Sequence, residues 1–124
     1  MLGSTQIMAF IPTVDTQKAR AFYEGTLGLR FVSDDGFAAM LDANGIMVRV
    51  TKVKEFKPAD FTILGWQVLK IEKVVSALAE KGVRIERYGF LKQDELGIWT
   101  APTGDKVAWF KDPDGNTLSV SQHV

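Results

Sequence analysis

Cysteine is absent from this 124-residue chain, and histidine occurs once, as His123. The first absence excludes a disulfide framework, a thiolate nucleophile and a Cys-bound metal. The second excludes a metal centre built from several histidines of one chain, and a His-centred triad in the core. No stretch reaches the ~18–20 continuous apolar residues needed to span a bilayer. Net charge is missing as well: 15 Lys and Arg balance 15 Asp and Glu. No global positive field therefore draws in nucleic acid or an anionic membrane, and neither partner is expected. Met1 to Gln6 lack the basic and apolar regions of a signal peptide, and the cytoplasm is the expected location.

What is present is an ordinary globular composition, 46% apolar and 24% charged, and not that of a disordered chain. At this length about two-thirds of the unfolded surface is buried on folding, and a single domain over 1–124 is the prior. Ile7 to Pro12 is a short apolar run that reads as a strand covered on both faces. Asp15 offers an N-cap to a helix over Thr16 to Leu27, with Ala19, Phe22 and Tyr23 on one face and Gly28 after its end. Strands are expected at Leu29 to Ser33 and Phe37 to Asp42, around Asp34-Asp35-Gly36. Asn44-Gly45 is a hairpin signal leading into a strand over Ile46 to Val53.

The region 54–61, charged and containing Pro58, reads as a linker. Beyond it come a strand within Thr62 to Leu69 and a helix with Ile71, Val74, Val75 and Leu78 on one face, closed by Gly82. A further strand is expected at Val83 to Arg87. Tyr88 to Leu96 has no period and reads as a surface connection, with a lid as the alternative. Gly97 to Ala101 adds a short piece, and Val107 to Lys111 and Thr117 to Gln122 form a final hairpin. Gly28-Leu29-Arg30-Phe31 is echoed by Gly82-Val83-Arg84-Ile85, each just after a helix. With the repeated order of elements, the echo points to a duplicated module. Module one covers about 7–53 and module two about 62–122.

Turn chemistry aligns the last hairpin. In Asp112-Pro113-Asp114-Gly115-Asn116, Pro suits the first central position of a type I turn and Gly115 the left-handed position after it. Lys111 then faces Thr117, Trp109 faces Ser119 and Val107 faces Ser121, all six on one side of the sheet. Ala108, Phe110, Leu118 and Val120 take the other side, suited to lie under a helix. Ile46, Val48 and Val50 likewise oppose Met47, Arg49 and Thr51, and Leu64, Trp66 and Val68 oppose Ile63, Gly65 and Gln67. Trp66 falls on the core side.

Two segments carry a resemblance. Asp15 to Leu29, with Phe22-Tyr23 and Leu27-Gly28-Leu29, resembles the N-terminal signature of the vicinal oxygen chelate superfamily. Asp112-Pro113-Asp114-Gly115-Asn116 resembles its C-terminal one. That superfamily includes glyoxalase I, bleomycin-resistance proteins, fosfomycin-resistance enzymes and extradiol dioxygenases. The resemblance, over roughly Ile7 to Gln122, implies an α+β fold of two βαβββ modules, their mixed sheets curved around a cleft, and a homodimer. It also implies four metal-ligand positions, which fall here on Met8, Arg49, Ile63 (within one residue) and Ser119. A thioether, a guanidinium, an alkyl group and a lone hydroxyl do not suit ions that want imidazole or carboxylate. No metal and no cofactor are expected.

The expected function is therefore small-molecule binding without a catalytic metal, similar to the bleomycin-resistance branch, in sequestration or resistance. The alternative is a divergent lyase, isomerase or dioxygenase of the same superfamily. The candidate ligand-binding residues are Met8, Phe10, Met47, Arg49, Trp109 and Ser119. Arg49 reads as an anion anchor, as an exposed strand arginine, or as one paired with a nearby carboxylate. Trp109 reads as an aromatic wall or as packing. An aromatic, anionic ligand would suit the set. Thr117, Ser119 and Ser121 form a hydroxyl stripe expected to be solvated, with no base beside it to make a nucleophile. His123 is expected in a frayed tail.

Overall fold

The computed structural model describes residues 1–124, which form two compact units, Met1–Lys57 and Pro58–Val124. The first begins with β1 (Met8–Thr13), a helix α1 (Thr16–Arg20) and a wider π-helical continuation (Ala21–Thr26). It ends with β2 (Arg30–Asp34), β3 (Ala38–Ala43) and β4 (Ile46–Lys52). Asp15 caps the helix as its position promised: its carboxylate accepts the N–H groups of Gln17 and Lys18 at 3.0 and 3.2 Å. The expected α-helix to Leu27 changes winding at Ala21, and Leu27 N–H reaches back to Phe22 O at 2.9 Å. Gly25 and Thr26, both weak α formers, lie in the widened turns.

The sheet of this unit runs β1-β4-β3-β2, with β1 parallel to β4 and the other pairs antiparallel. Asn44 and Gly45 have φ of 51° and 93°, and the hairpin pairs Ala43 with Ile46 across them. Both turn residues need positive φ, which explains this dipeptide here. One sheet face carries Ile11, Leu41, Val48 and Val50, all buried, and the helix packs on β3 and β4 over it. Each such side chain contributes about 1.5–3 kcal/mol by leaving water. β1 is not covered on both faces: Phe10 is 65% and Met8 44% exposed, because no layer of this unit lies on their side.

The second unit repeats the plan with β5 (Leu64–Gln67), α2 (Ile71–Glu80), β6 (Trp99–Thr100), β7 (Lys106–Lys111) and β8 (Thr117–Gln122). Its sheet runs β5-β8-β7-β6, with β5 parallel to β8, so the permutation of the first sheet recurs. The final hairpin has the register read from its turn, with Lys111 on Thr117, Trp109 on Ser119 and Val107 on Ser121. Ala108, Phe110, Leu118 and Val120 are buried under α2, and Trp66 stacks on Phe110 with ring centroids 6.4 Å apart.

Val83 to Arg87 is not a strand. It makes one ladder-like bond, Glu86 N–H to Trp109 O at 2.8 Å, and the edge of β7 is otherwise taken by β6. The Gln93 side chain occupies the neighbouring backbone groups: it accepts Tyr88 N–H at 2.8 Å and donates to Glu86 O at 2.9 Å. A side chain thus replaces a ladder.

Candidate functional site

In the first unit, the parallel pairing of β1 and β4 sets Met8 beside Met47 and Phe10 beside Arg49. Four of the six candidate residues therefore share one open sheet face. Met8, Met47 and Met40 line a recess of about 380 Å³ with Gln6, Ile7, Asp42 and Gly45. Thioether side chains are flexible and polarisable, suited to irregular apolar ligands.

Arg49 is about 29% exposed and loosely held. One guanidinium nitrogen lies 3.5 Å from Met40 Sδ, a weak acceptor, and another 3.9 Å from Asp35 Oδ2. Arg49 is thus neither fully exposed nor closely paired: a carboxylate is near it, yet too far for a close bidentate pair. Asp35 is itself held below the ordinary carboxylate range, first by the backbone N–H groups of Phe37 and Ala38, with burial opposing and Arg49 adding to the lowering. Thr51, two residues along the same face, has a buried hydroxyl without a hydrogen-bond partner.

The other two candidates, Trp109 and Ser119, are a cross-strand pair of β7 and β8 in the second unit. Trp109 is half-buried in an aromatic group that the sequence only partly announced. Tyr88 meets it edge-on, centroids 5.5 Å apart at 84°, and Trp99 lies at 6.1 Å. Phe90, 83% exposed, extends the group beyond Tyr88. Burial, and then the Glu86 and Asp60 carboxylates, push the Tyr88 phenol above its ordinary value. The loop carrying Tyr88 and Phe90 is tied internally. Gln93 also donates to Gly97 O at 2.7 Å, and Arg87 donates to the carbonyls of Asp94 and Glu95 at 2.9 and 2.7 Å. These bonds hold residues 86–97 together as one piece.

The metal-ligand positions fare as their side chains dictate. Met8 and Arg49 share a face but not a register pair. Ile63 lies one residue before β5, bonded through its N–H to Thr117 O, and the β5 residue in register with Ser119 is Gly65. A Cβ at Gly65 would lie 2.9 Å from Ser119 Oγ, so β5 offers no side chain there. No three His, Cys, Asp or Glu side chains cluster to hold an ion. The groups present at the four positions do not fit a divalent ion that prefers oxygen or imidazole ligands.

One expectation about the hydroxyl stripe and one about the C-terminal residues are overturned. Thr117 is buried rather than solvated, its hydroxyl donating to Ala59 O at 3.2 Å, because the segment after Pro58 crosses over it. His123 does not fray: its ring lies between Ser121 Oγ at 2.9 Å and Asp105 Oδ2 at 3.2 Å. The signal for this was in the hairpin register. Lys106 faces Gln122, and one further step sets Asp105 beside residue 123.

Among solved structures, the chain is similar to a glyoxalase/bleomycin resistance protein/dioxygenase superfamily member from Sphaerobacter thermophilus. That match has a TM-score of 0.77 at 23% identity and covers 99% of this chain and 100% of the other. It is similar also to a lactoylglutathione lyase from Agrobacterium tumefaciens, with a TM-score of 0.76, 15% identity and 98% and 96% coverage. TioX from Micromonospora sp. ML1 gives 0.72, 15%, and 98% and 100%. At these identities the likeness is one of fold. No curated protein matches. The family model for the Glyoxalase/Bleomycin resistance protein/Dioxygenase superfamily matches residues 5–120, and with the two βαβββ units it settles membership: the chain belongs to that superfamily.

Proposed function

We propose that this member of the superfamily binds a small molecule with an aromatic or apolar body and an anionic group. It holds that ligand without a catalytic metal, in a sequestering role. The observation that carries this reading is Trp109, half-buried and flanked by Tyr88 and Trp99 on an open sheet face whose in-register neighbours bring no metal ligand. Aromatic walls with a few placed polar groups are what small-molecule sites present. On the second unit Ser119 adds a hydroxyl beside Trp109, while the first unit by itself presents Met8, Phe10 and Met47 as apolar surface and Arg49 as a guanidinium whose long contacts to Asp35 and Met40 exchange readily for a ligand carboxylate or phosphate. A homodimer belongs to the same proposal and is supported by exposed Ile7, Phe10, Phe37 and Phe61.

The test is thermal unfolding and titration calorimetry with a panel of aryl carboxylates and aryl phosphates. Binders should raise the melting temperature of the natural chain. Trp109→Ala should weaken binders seated on the aromatic group of the second unit, and Arg49→Ala should weaken anionic binders on the open face of the first about tenfold or more. Elemental analysis of purified protein should find no stoichiometric Mn, Fe, Ni or Zn. A stoichiometric ion would favour a divergent lyase, isomerase or dioxygenase in place of this reading.

A further inference from the structure

Side chains alternate across a strand, so Ser121 and the residue two places on, just past the end of β8, project to the same side. Ser121 Oγ and His123 Nε2 are 2.9 Å apart. Across the ring, His123 Nδ1 is 3.2 Å from Asp105 Oδ2. The second oxygen of Asp105 accepts Val124 N–H at 3.0 Å, and its carbonyl accepts Ala101 N–H at 2.7 Å, which fixes the carboxylate in place. The Val124 bond, opposed by burial and reinforced by His123, keeps Asp105 below the ordinary carboxylate range, hence ionised at neutral pH. An ionised carboxylate on Nδ1–H selects the tautomer whose Nε2 lone pair meets the serine hydroxyl. The nucleophile, the base and the group that orients the base thus stand in sequence, at hydrogen-bond distances.

We propose that Ser121 and His123, with Asp105 as the positioning residue, form a nucleophilic centre that cleaves activated carboxylic esters. The geometry of these three residues does not rest on the ligand-binding reading, with which the proposal shares only the Trp109 surface. His123 is 47% and Asp105 29% exposed, so substrate has access. Val107, the cross-strand partner of Ser121, and Trp109 beside Ser119 give the acyl or aryl group an apolar wall on the same face. Gln67, in register with Ser121 on β5, carries a side-chain amide on that face to donate to the developing oxyanion.

In the first half-reaction the bond from Oγ to the acyl carbon forms and the bond from that carbon to the alcohol oxygen breaks. The serine proton passes through Nε2 to the departing alkoxide. Water then attacks the acyl-serine, giving its proton to Nε2, which returns it to Oγ as the acyl group leaves. The sum is ester plus water to carboxylic acid plus alcohol.

The experiment uses the unaltered chain and p-nitrophenyl acetate, reading nitrophenolate release and, after acid quench, the acetylated residue by peptide mass mapping. Acetyl-Ser121 is the expected adduct. Ser121→Ala should remove it, and His123→Gln should slow its formation by about 10²-fold or more. Ser33→Ala, on β2, should change nothing. Asp105→Asn should slow acylation and Asp105→Glu should restore it, a rescue that a merely structural carboxylate would not show. Thermal unfolding of each variant checks its fold, and the mapping on the natural chain does not depend on any variant. Acetylation confined to lysines, or a Ser121 adduct formed equally fast in His123→Gln, would overturn the assignment.

Discussion

Asp15 holds the start of α1 with a single oxygen, Oδ1, shared by two backbone N–H groups. Asp15→Ala is expected to cost about 1 kcal/mol of stability, read as a lower urea midpoint at unchanged slope. That residue was legible because a cap needs only its own side chain and the next three residues. Gly97 was not. Its φ is 93°, and a Cβ there would lie 2.5 Å from Ile85 Cγ2, a side chain twelve positions away. Gly97→Ala is expected to cost about 1–3 kcal/mol, from left-handed strain and overpacking together, in the same urea experiment. The constraint on Gly97 comes from a distant neighbour, and no local pattern records it. Arg49 is similar: alternation placed it on the open face of β4, but only the fold set Met40 and Asp35 beside it.

Among the elements, those governed by turn chemistry were read most closely. Asn44-Gly45 closes a hairpin as expected, pairing Ala43 with Ile46, and the Asp112 to Asn116 loop sets the register expected of it. Val83 to Arg87 shows the opposite case. Its sequence suits a strand, but the edge of β7 accepts two pieces, Glu86 at one point and β6 at another. Which piece wins depends on partners far along the chain. Gln93 stabilises the result with three hydrogen bonds, to Tyr88, Glu86 and Gly97. Gln93→Ala leaves those backbone groups without that partner and is expected to cost about 1–3 kcal/mol. Amide hydrogen exchange should speed up at Tyr88, and the Trp109 emission should shift as the Tyr88 contact loosens; protection left intact at Tyr88 would show that water replaces the amide. The π-helical turns after Arg20 were likewise unannounced, because hydrophobic spacing over so few residues fits either winding.

For the whole molecule, acid sensitivity follows from four carboxyls, two exposed and two half-buried, held below their ordinary range. Asp35 is held by the N–H groups of Phe37 and Ala38, Asp42 by Arg30, Glu72 by Lys106 and Asp105 by Val124 N–H. A depressed folded value means that the unfolded chain binds protons first. The stabilisation is thus complete above the ordinary carboxylate range and is lost as pH falls through the lowered values. Melting temperatures should hold from pH 7 to about pH 5 and fall toward about pH 3. Salt should blunt the part owed to the exposed Arg30–Asp42 and Lys106–Glu72 pairs. A melting temperature flat across that range would show that the four interactions persist in the unfolded chain. The sequence by itself determined what depends on near neighbours: the caps, the turns, the registers that follow from them, and which side chains share a face. The resemblance placed the metal-ligand positions, and the residues read there, Met8, Arg49, Ile63 and Ser119, carry neither imidazole nor carboxylate whatever the fold. Tertiary structure alone decided which of those faces stay open, as at Phe10, and which close, as at Thr117 under Ala59. It also brought Asp105 and Ser121 to either side of one histidine ring. The reason is physical: burial and proximity depend on surfaces supplied from elsewhere in the chain, and short-range patterns do not carry that information.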